Sequence, residues 1–355
     1  MHSGRCAVRI MLLLVLLIVG SVFVPVNAQD STIRLVTHDS FNVSESVLTT
    51  FEQESGLTVE ILRLGDAGTM VNQSILSREN PLGDVLYGID NTFLSRALDA
   101  NLFTPYESPL LESIDSSFAV PDNPVVPVDF GDVCLNYDVS TFEASGLPLP
   151  TSLADLALPE YAEMLVVQNP ATSSPGLAFL LATVAVFGED GDYTYLDFWR
   201  DLVANGVVIA DDWTDAYYGQ FNGSAGSAGD RPLVVSYASS PPAEVFFADP
   251  PLGAAPTGAL TAAGMCFRQI EYAGVLANAA NVEGAQRFID FMLSSAFQED
   301  LPLQMFVFPV SLDAALPNVF QQYAVIPEEP VNMAFDEIAA GRDRWITEWT
   351  ELVLR

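Results

Sequence analysis

The sequence contains no lysine: all 13 basic residues are arginine, set against 46 acidic ones, for a formal net charge of −33 at pH 7. That absence excludes Schiff-base chemistry on lysine and a phosphate-binding P-loop, which needs its lysine. Histidine is almost as scarce, with His2 and His38 alone. A metal site built on several imidazoles is therefore excluded, and any metal would rest on carboxylates or cysteines. His38-Asp39-Ser40 holds the residue types of a hydrolytic triad, but neighbours on an extended chain point to opposite faces and cannot line up nucleophile, base and orienting acid. Neither a G-x-S-x-G elbow nor a G-x-G-x-x-G fingerprint is present. The clustered basic side chains that nucleic acid phosphates require are missing as well. The residues thus argue against an enzyme, call for no cofactor, and leave a strongly acidic chain that can concentrate cationic solutes near its surface.

Long apolar runs are limited to one, Ile10 to Val24, preceded by Arg5 and Arg9 and followed by Val26-Asn27-Ala28 and polar Gln29-Asp30. A basic start, an apolar core and an A-x-A-like site form a secretory signal peptide, and the run is shorter than the roughly 20 residues that span a bilayer. Cleavage after Ala28 is expected, leaving a periplasmic or extracellular protein. Cys6 precedes the apolar core and cannot serve as a lipoprotein acceptor. Cys134 and Cys266 remain, an even pair in an oxidising compartment. Both lie in strand-like segments, and either a disulfide or two buried thiols is open.

What is present is an alternation of strands and helices. Thr32 to Thr37 reads as a strand ending at His38-Asp39-Ser40-Phe41, with a helix over Ser44 to Ser55. Leu57 to Leu62 is a second strand stopping at Gly65-Asp66-Ala67-Gly68, with a helix over Met70 to Arg78 and a strand over Asp84 to Tyr87 closing at Gly88. This spacing predicts a parallel sheet flanked by helices, with the loops at the strands' carboxyl ends converging on one rim. Val125 to Gly131 looks like a crossover into a second α/β region containing strands near Leu165 to Val167, Val207 to Ile209 and Pro232 to Tyr237. Met265 to Tyr272 carries the chain back, before amphipathic helices over Glu283 to Leu293 and Arg342 to Leu354. The expected fold class is α/β, two lobes joined by two crossing strands. Its bounds are a leader over 1–28, the first lobe over 29–130, the second over 131–270, and a return to the first over 271–355.

Candidate binding residues sit at segment ends. Trp213 lies in Asp211-Asp212-Trp213-Thr214-Asp215, followed by Tyr217 and Tyr218, and Tyr237 ends a strand before Ala238-Ser239-Ser240-Pro241. Thr172-Ser173-Ser174-Pro175-Gly176 directly precedes a helix over Leu177 to Phe187, where backbone N–H groups and hydroxyls suit a polar ligand edge. Rings at Trp213 and Tyr237 would stack on a flat cation, at about 0.5–2 kcal/mol per contact, with a carboxylate such as Asp66 neutralising its charge.

These segments, with Asp84 to Asn91, Val126 to Gly131, Phe288 to Met292, Phe308 to Val310 and Trp345 to Trp349, resemble the thiamine-binding proteins of bacterial ABC importers, within the two-lobed extracytoplasmic solute-binding proteins. The likeness runs from Leu35 to the C-terminus. It implies a monomer that holds thiamine or a thiamine phosphate in an interlobe cleft and delivers it to an ABC transporter permease. It implies ligand contacts at His38, Asp39, Asp66, Asp90, Ser173, Ser174, Trp213, Tyr217, Tyr237 and Phe306. The chain departs from the family in having His38 where tyrosine is common, Glu45 near an expected tryptophan, Phe306 where tryptophan is usual and Ala243 in place of a tyrosine. Another small organic cation on the same fold is one alternative. Ferric iron held by Tyr217, Tyr218 and His38 is the other.

Overall fold

The computed structural model describes residues 31–355; the expected leader over 1–28 and its cleavage point lie outside them. Strands β1 (Thr32–Thr37), β2 (Thr58–Arg63) and β3 (Val85–Asp90) form a parallel set with β1 at its centre. Ile33, Leu35 and Val36 of β1 are fully buried, and all of β3 is buried, the pattern of strands covered on both faces. After a short β4 (Phe103–Thr104), β5 (Val126–Asp138) runs for 13 residues into a second parallel set. That set comprises β6 (Leu165–Gln168), β7 (Val208–Ala210) and β8 (Leu233–Tyr237), with β6 between the other two. β9 (Thr257–Leu260) adds to β5, β10 (Phe267–Leu276) returns the chain to the first set, and β11 (Phe308–Pro309) pairs with β5.

The order β2-β1-β3-β10-β5-β8-β6-β7 shows how the two sets are joined. β5 and β10 lie antiparallel at the centre. The outer edge of β10 pairs with β3 and that of β5 with β8, so each crossing strand belongs to both halves. The fold is the two-lobed α/β arrangement read from the sequence. Register breaks beside Tyr272 on both edges of β10 mark β-bulges, which locally increase twist and re-aim side chains. On the second-lobe side of the bulges, Arg268 pairs with Asp132 across the strands at 2.6 Å and lies over Phe130. The Asn91 side chain accepts from Ile270 N (3.1 Å) and donates to Arg268 O (3.0 Å), bridging a stretch of β10.

Cys134 and Cys266 form a disulfide between these crossing strands, one position beyond the Val133–Phe267 register pair, closing a sequence separation of 132 residues. Among the described residues no helix is long and apolar enough to cross a membrane.

Local boundaries differ from the sequence reading where polar residues make the structure. The helix expected from Met70 starts at Ala67, because Asp66 caps it by accepting from Ala67 N at 2.8 Å. The helix expected from Leu177 starts at Ser174, with Pro175 in its first turn. β3 does not close at Gly88 but continues to Asp90. Gly88 has φ +92°, and a Cβ there would lie 2.2 Å from Cδ2 of His38. The glycine therefore admits the imidazole against the strand rather than ending it.

Two expectations follow. Denatured, unreduced protein that has lost its leader gives no free thiol with a thiol reagent, and the Cys134→Ala/Cys266→Ala double variant loses about 2–4 kcal/mol in urea unfolding. A titratable thiol pair or an unchanged unfolding midpoint would oppose this. Gly88→Ala costs about 1–3 kcal/mol in the same assay, since the new Cβ meets both an unfavourable φ and the His38 ring.

Candidate functional site

Three acids meet in register across the middle of the sheet. Glu271 of β10 lies opposite Asp90 of β3 on one side and Asp129 of β5 on the other. All three are buried, and like charges in such positions cannot all stay ionised. Each is handled differently. Asp90 accepts from Thr92 N (2.9 Å), Thr92 Oγ1 (2.6 Å) and Phe93 N (3.1 Å), closing the turn after β3; burial still lifts its carboxyl to about 6. Burial and the neighbouring Glu271 push Asp129 well above the usual carboxylate range, and the Tyr87 hydroxyl hydrogen-bonds to it. Glu271 is the ionised member: burial opposes its charge, but His38 Nε2 stands 3.6 Å from its Oε1 and holds its pKa below the usual value. Burial likewise opposes charge on His38, yet Glu271, then Asp66 and Asp39, together raise its pKa above that of free imidazole.

Above Glu271 opens a cavity of about 320 Å³, walled by both halves of the fold. The first half contributes His38, Ser40 and Asp66, and the returning chain contributes Gln304 to Val307. Tyr237 and Glu271 stand at the sheet, and the second half supplies Ser174, Trp213, Tyr217, Tyr218 and Phe247. No arginine lines it.

The aromatic wall is fixed from behind. Trp213 stacks on the fully buried Tyr217 at 5.0 Å and 17°, meets Tyr218 edge-on, and donates its indole N–H to Ser236 Oγ at 3.0 Å. One indole face is thus covered by protein, which leaves the other for the cavity. Tyr217 and Tyr218 belong to a π-helical turn, Asp215–Gln220, where a loop is expected from sequence; such turns are frequent at functional sites. Tyr237 lies over Gly131, where a Cβ would come within 2.8 Å of the ring, and its hydroxyl donates to Gln269 Oε1 at 3.2 Å. Asp66 receives Trp213 N at 3.3 Å in addition to capping its helix; burial raises its pKa, with Ser173, Ala67 N and His38 acting in the other direction. Phe306 sits at φ +54°, an outlying backbone conformation for a bulky residue. The Ser239 hydroxyl holds its carbonyl at 2.6 Å, and Phe247 packs against its ring at 5.6 Å.

Of the residues singled out from sequence, His38, Asp66, Ser174, Trp213, Tyr217, Tyr237 and Phe306 line this cavity. The exposed Asp39 and the buried Asp90 and Ser173 are not among its lining residues. Asp39 accepts from Gly65 N at 3.0 Å and ties the first two loops together, and Ser173 occupies the N-cap of the Ser174 helix. Sequence reasoning missed Glu271, which reads as one more polar residue of a strand that also holds Arg268 and Gln269, and Ser40, Ser240, Phe247 and Met305. A strand acid between Ile270 and Tyr272 is a signal in principle, since buried acids need a reason. Of the tyrosine pair considered for iron, both line the cavity with His38; Tyr217 is buried against Trp213, Tyr218 is exposed, and their rings meet edge to face at 79°. Among the described residues no three His, Cys, Asp or Glu side chains form a metal-binding group.

Comparison with known proteins agrees with this geometry. The chain is 29% identical to the thiamine-binding periplasmic proteins of Salmonella typhimurium and Escherichia coli, over 91% of this chain and 94% of each relative. Identity to the Brucella suis thiamine-binding periplasmic protein is 27%, over 92% and 93% of the two chains. A solved periplasmic thiamin-binding protein superposes with a TM-score of 0.80 at 27% identity, covering 91% of this chain and 96% of that one. The iron-bound HitA of Pseudomonas aeruginosa, at 18% identity and a TM-score of 0.73, shares the fold. Residues 80–326 match the family model for bacterial extracellular solute-binding proteins, and the chain belongs to that family.

Proposed function

We propose that this protein is exported, captures thiamine between its two lobes outside the cytoplasm, and presents it to the permease of an ABC importer. The observation that carries the reading is the composition of the cavity wall: a rigid indole, a tyrosine, Glu271 and Asp66, and no arginine among the described residues. Such a wall suits a flat aromatic bearing a permanent positive charge. Stacking supplies contact area and cation–π attraction, while the ionised carboxylate supplies a counter-charge that the ligand's own cation satisfies. Thiamine, with a thiazolium and an aminopyrimidine, meets both demands. The thiamine-binding relatives, aligned over most of their length, support the same choice. The protein binds its ligand and does not transform it.

In this reading Trp213 and Tyr237 stack on the ligand, Glu271 and Asp66 face its charge, and Ser174 and Phe306 close the ends of the cleft. Asp39, Asp90 and Ser173 act by holding these groups in place. The lobes divide where β5 and β10 cross, near Phe130–Gly131 and Ile270–Glu271, and closure about those strands buries the ligand. The leader over 1–28 is removed after Ala28.

Isothermal titration of refolded, ligand-free protein with thiamine gives saturable one-to-one binding. Trp213→Ala weakens it by about 1 kcal/mol or more, roughly fivefold, because the stacked face is lost. Absence of heat with thiamine would overturn the ligand, and an unchanged affinity in the variant would remove Trp213 from the site. Adding ferric ion in place of thiamine gives no competing one-to-one binding.

A further inference from the structure

The organic-cation reading leaves one group in the cavity wall without a role. His38 is the one histidine in residues 31–355 and lines the cavity beside the carboxylate that faces the ligand. We propose that the His38 imidazolium and the cationic ligand are alternative partners of Glu271, so that ligand entry expels the imidazole proton and acid drives the ligand out. This rests on the reading of the cavity as an organic-cation site.

His38 and the cavity share one carboxylate. His38 Nε2 and Glu271 Oε1 stand 3.6 Å apart, so a second cation brought to the same buried carboxylate repels the imidazolium and favours the neutral ring. That separation is an ion-pair distance rather than a hydrogen bond, so no fixed donor geometry has to be broken when the partner changes. The groups facing His38 are all acids or phenols: Glu271 from β10, Asp66 before its helix, Asp39 in the same turn, and Tyr87 from β3 with its ring centroid at 6.1 Å. Behind them stand Asp129 of β5 and, across Glu271, Tyr237 of β8 and Asp90 of β3. Burial pushes the Asp129 carboxyl upward and the Tyr87 hydroxyl donates to it, while Asp90 is tied into its turn, so neither offers His38 a substitute carboxylate. The missing Cβ of Gly88 lets the ring lie close against β3, beside Glu271. Of the two cations that compete for Glu271, a thiazolium cannot lose its charge and an imidazolium can.

The sign follows. In the free protein the surroundings raise the His38 pKa, so the proton is bound below that value and must leave when ligand enters. Affinity is full above the free-state pKa and falls by about tenfold per pH unit below it, until the lower pKa of the complex is reached, as exchange of a single proton requires. Ordinary imidazole titrates at 6.5, so the window opens above that value and extends downward.

Two measurements on refolded full protein without a histidine tag test this. The first follows the imidazole C2–H resonance of His38 by NMR through a pH titration, with and without saturating thiamine; a His38→Gln spectrum identifies the signal, leaving His2 where that residue is retained. The expected result is a titration midpoint above 6.5 in the free protein that drops by about one unit or more in the complex. The second is the pH dependence of thiamine affinity in wild type and His38→Gln. In wild type the affinity is expected to fall by about tenfold per pH unit beginning at the free-state His38 midpoint read by NMR; in the variant no fall begins there, and any loss follows Glu271 and the ligand's own aminopyrimidine instead. A His38 midpoint that ligand does not lower, or a wild-type affinity that does not fall through that midpoint, overturns the proposal and leaves thiamine binding intact. Failure of wild type to bind thiamine even above the free-state His38 midpoint read by NMR overturns the ligand assignment, and the proposal with it. If His38→Gln does not fold, the NMR titration of wild type decides alone.

Discussion

Glu271 is a buried negative charge at the point where the two halves of the molecule are sewn together, and most of the central architecture answers to it. It belongs to β10, one of the two strands that cross between halves, and it sits in register between Asp90 and Asp129. A row of three buried carboxylates is not a stable arrangement unless protons or partners divide them. Asp129 accepts the Tyr87 hydroxyl while burial and Glu271 push its pKa upward, and Asp90 caps a turn. Glu271 keeps its charge because His38 faces it. Replacing the row with apolar residues would remove the desolvation cost. Its retention makes physical sense only where the charge meets something that comes and goes.

The aromatic half of the cavity obeys a different constraint, rigidity. A cation–π contact gains nothing from a ring that must first be ordered. Trp213 is ordered in advance by the stacked Tyr217, by its indole bond to Ser236 and by its backbone bond to Asp66. The last of these couples the halves, because Asp66 caps a helix of the first and Trp213 belongs to the second. Phe306, held at a positive φ by Ser239, makes a second such tie from the returning chain. The ligand wall is therefore assembled at contacts that depend on how the two halves stand to one another.

The α/β class, the parallel alternation and both crossing segments were legible in the sequence, because apolar and β-branched runs such as Leu233-Val234-Val235 and the Thr32–Thr37 strand are short and bounded by turn residues. So were the rings that line the cavity, since Trp213 and Tyr237 stand at segment ends, where loops meet ligands. Three features were not. Helix starts at Ala67 and Ser174 are set at the caps Asp66 and Ser173, which hydrophobic periodicity does not register. The continuation of β3 through Gly88 depends on the His38 ring, which follows a different strand and needs the missing Cβ. Glu271 escapes a sequence reading because its importance lies in Asp129 and His38, partners brought beside it by β5 and by the turn after β1. No local pattern contains residues so far apart along the chain.

The same distinction between local and bulk properties decides what the acidic composition does. A formal charge of −33 suggests that the whole surface attracts a cation. At physiological ionic strength, however, exposed charges act over about 8 Å, so most of that charge is screened before it reaches a ligand in the cleft. What the surface supplies is encounter: a faster approach for cationic solutes, sensitive to salt. In the proposed reading affinity comes instead from Glu271 and the rings that line the cavity, where burial weakens screening. A lysine-free acidic surface would attract polyamines, metal ions and thiamine alike; in that reading a buried carboxylate and a preordered indole in one cavity distinguish among them.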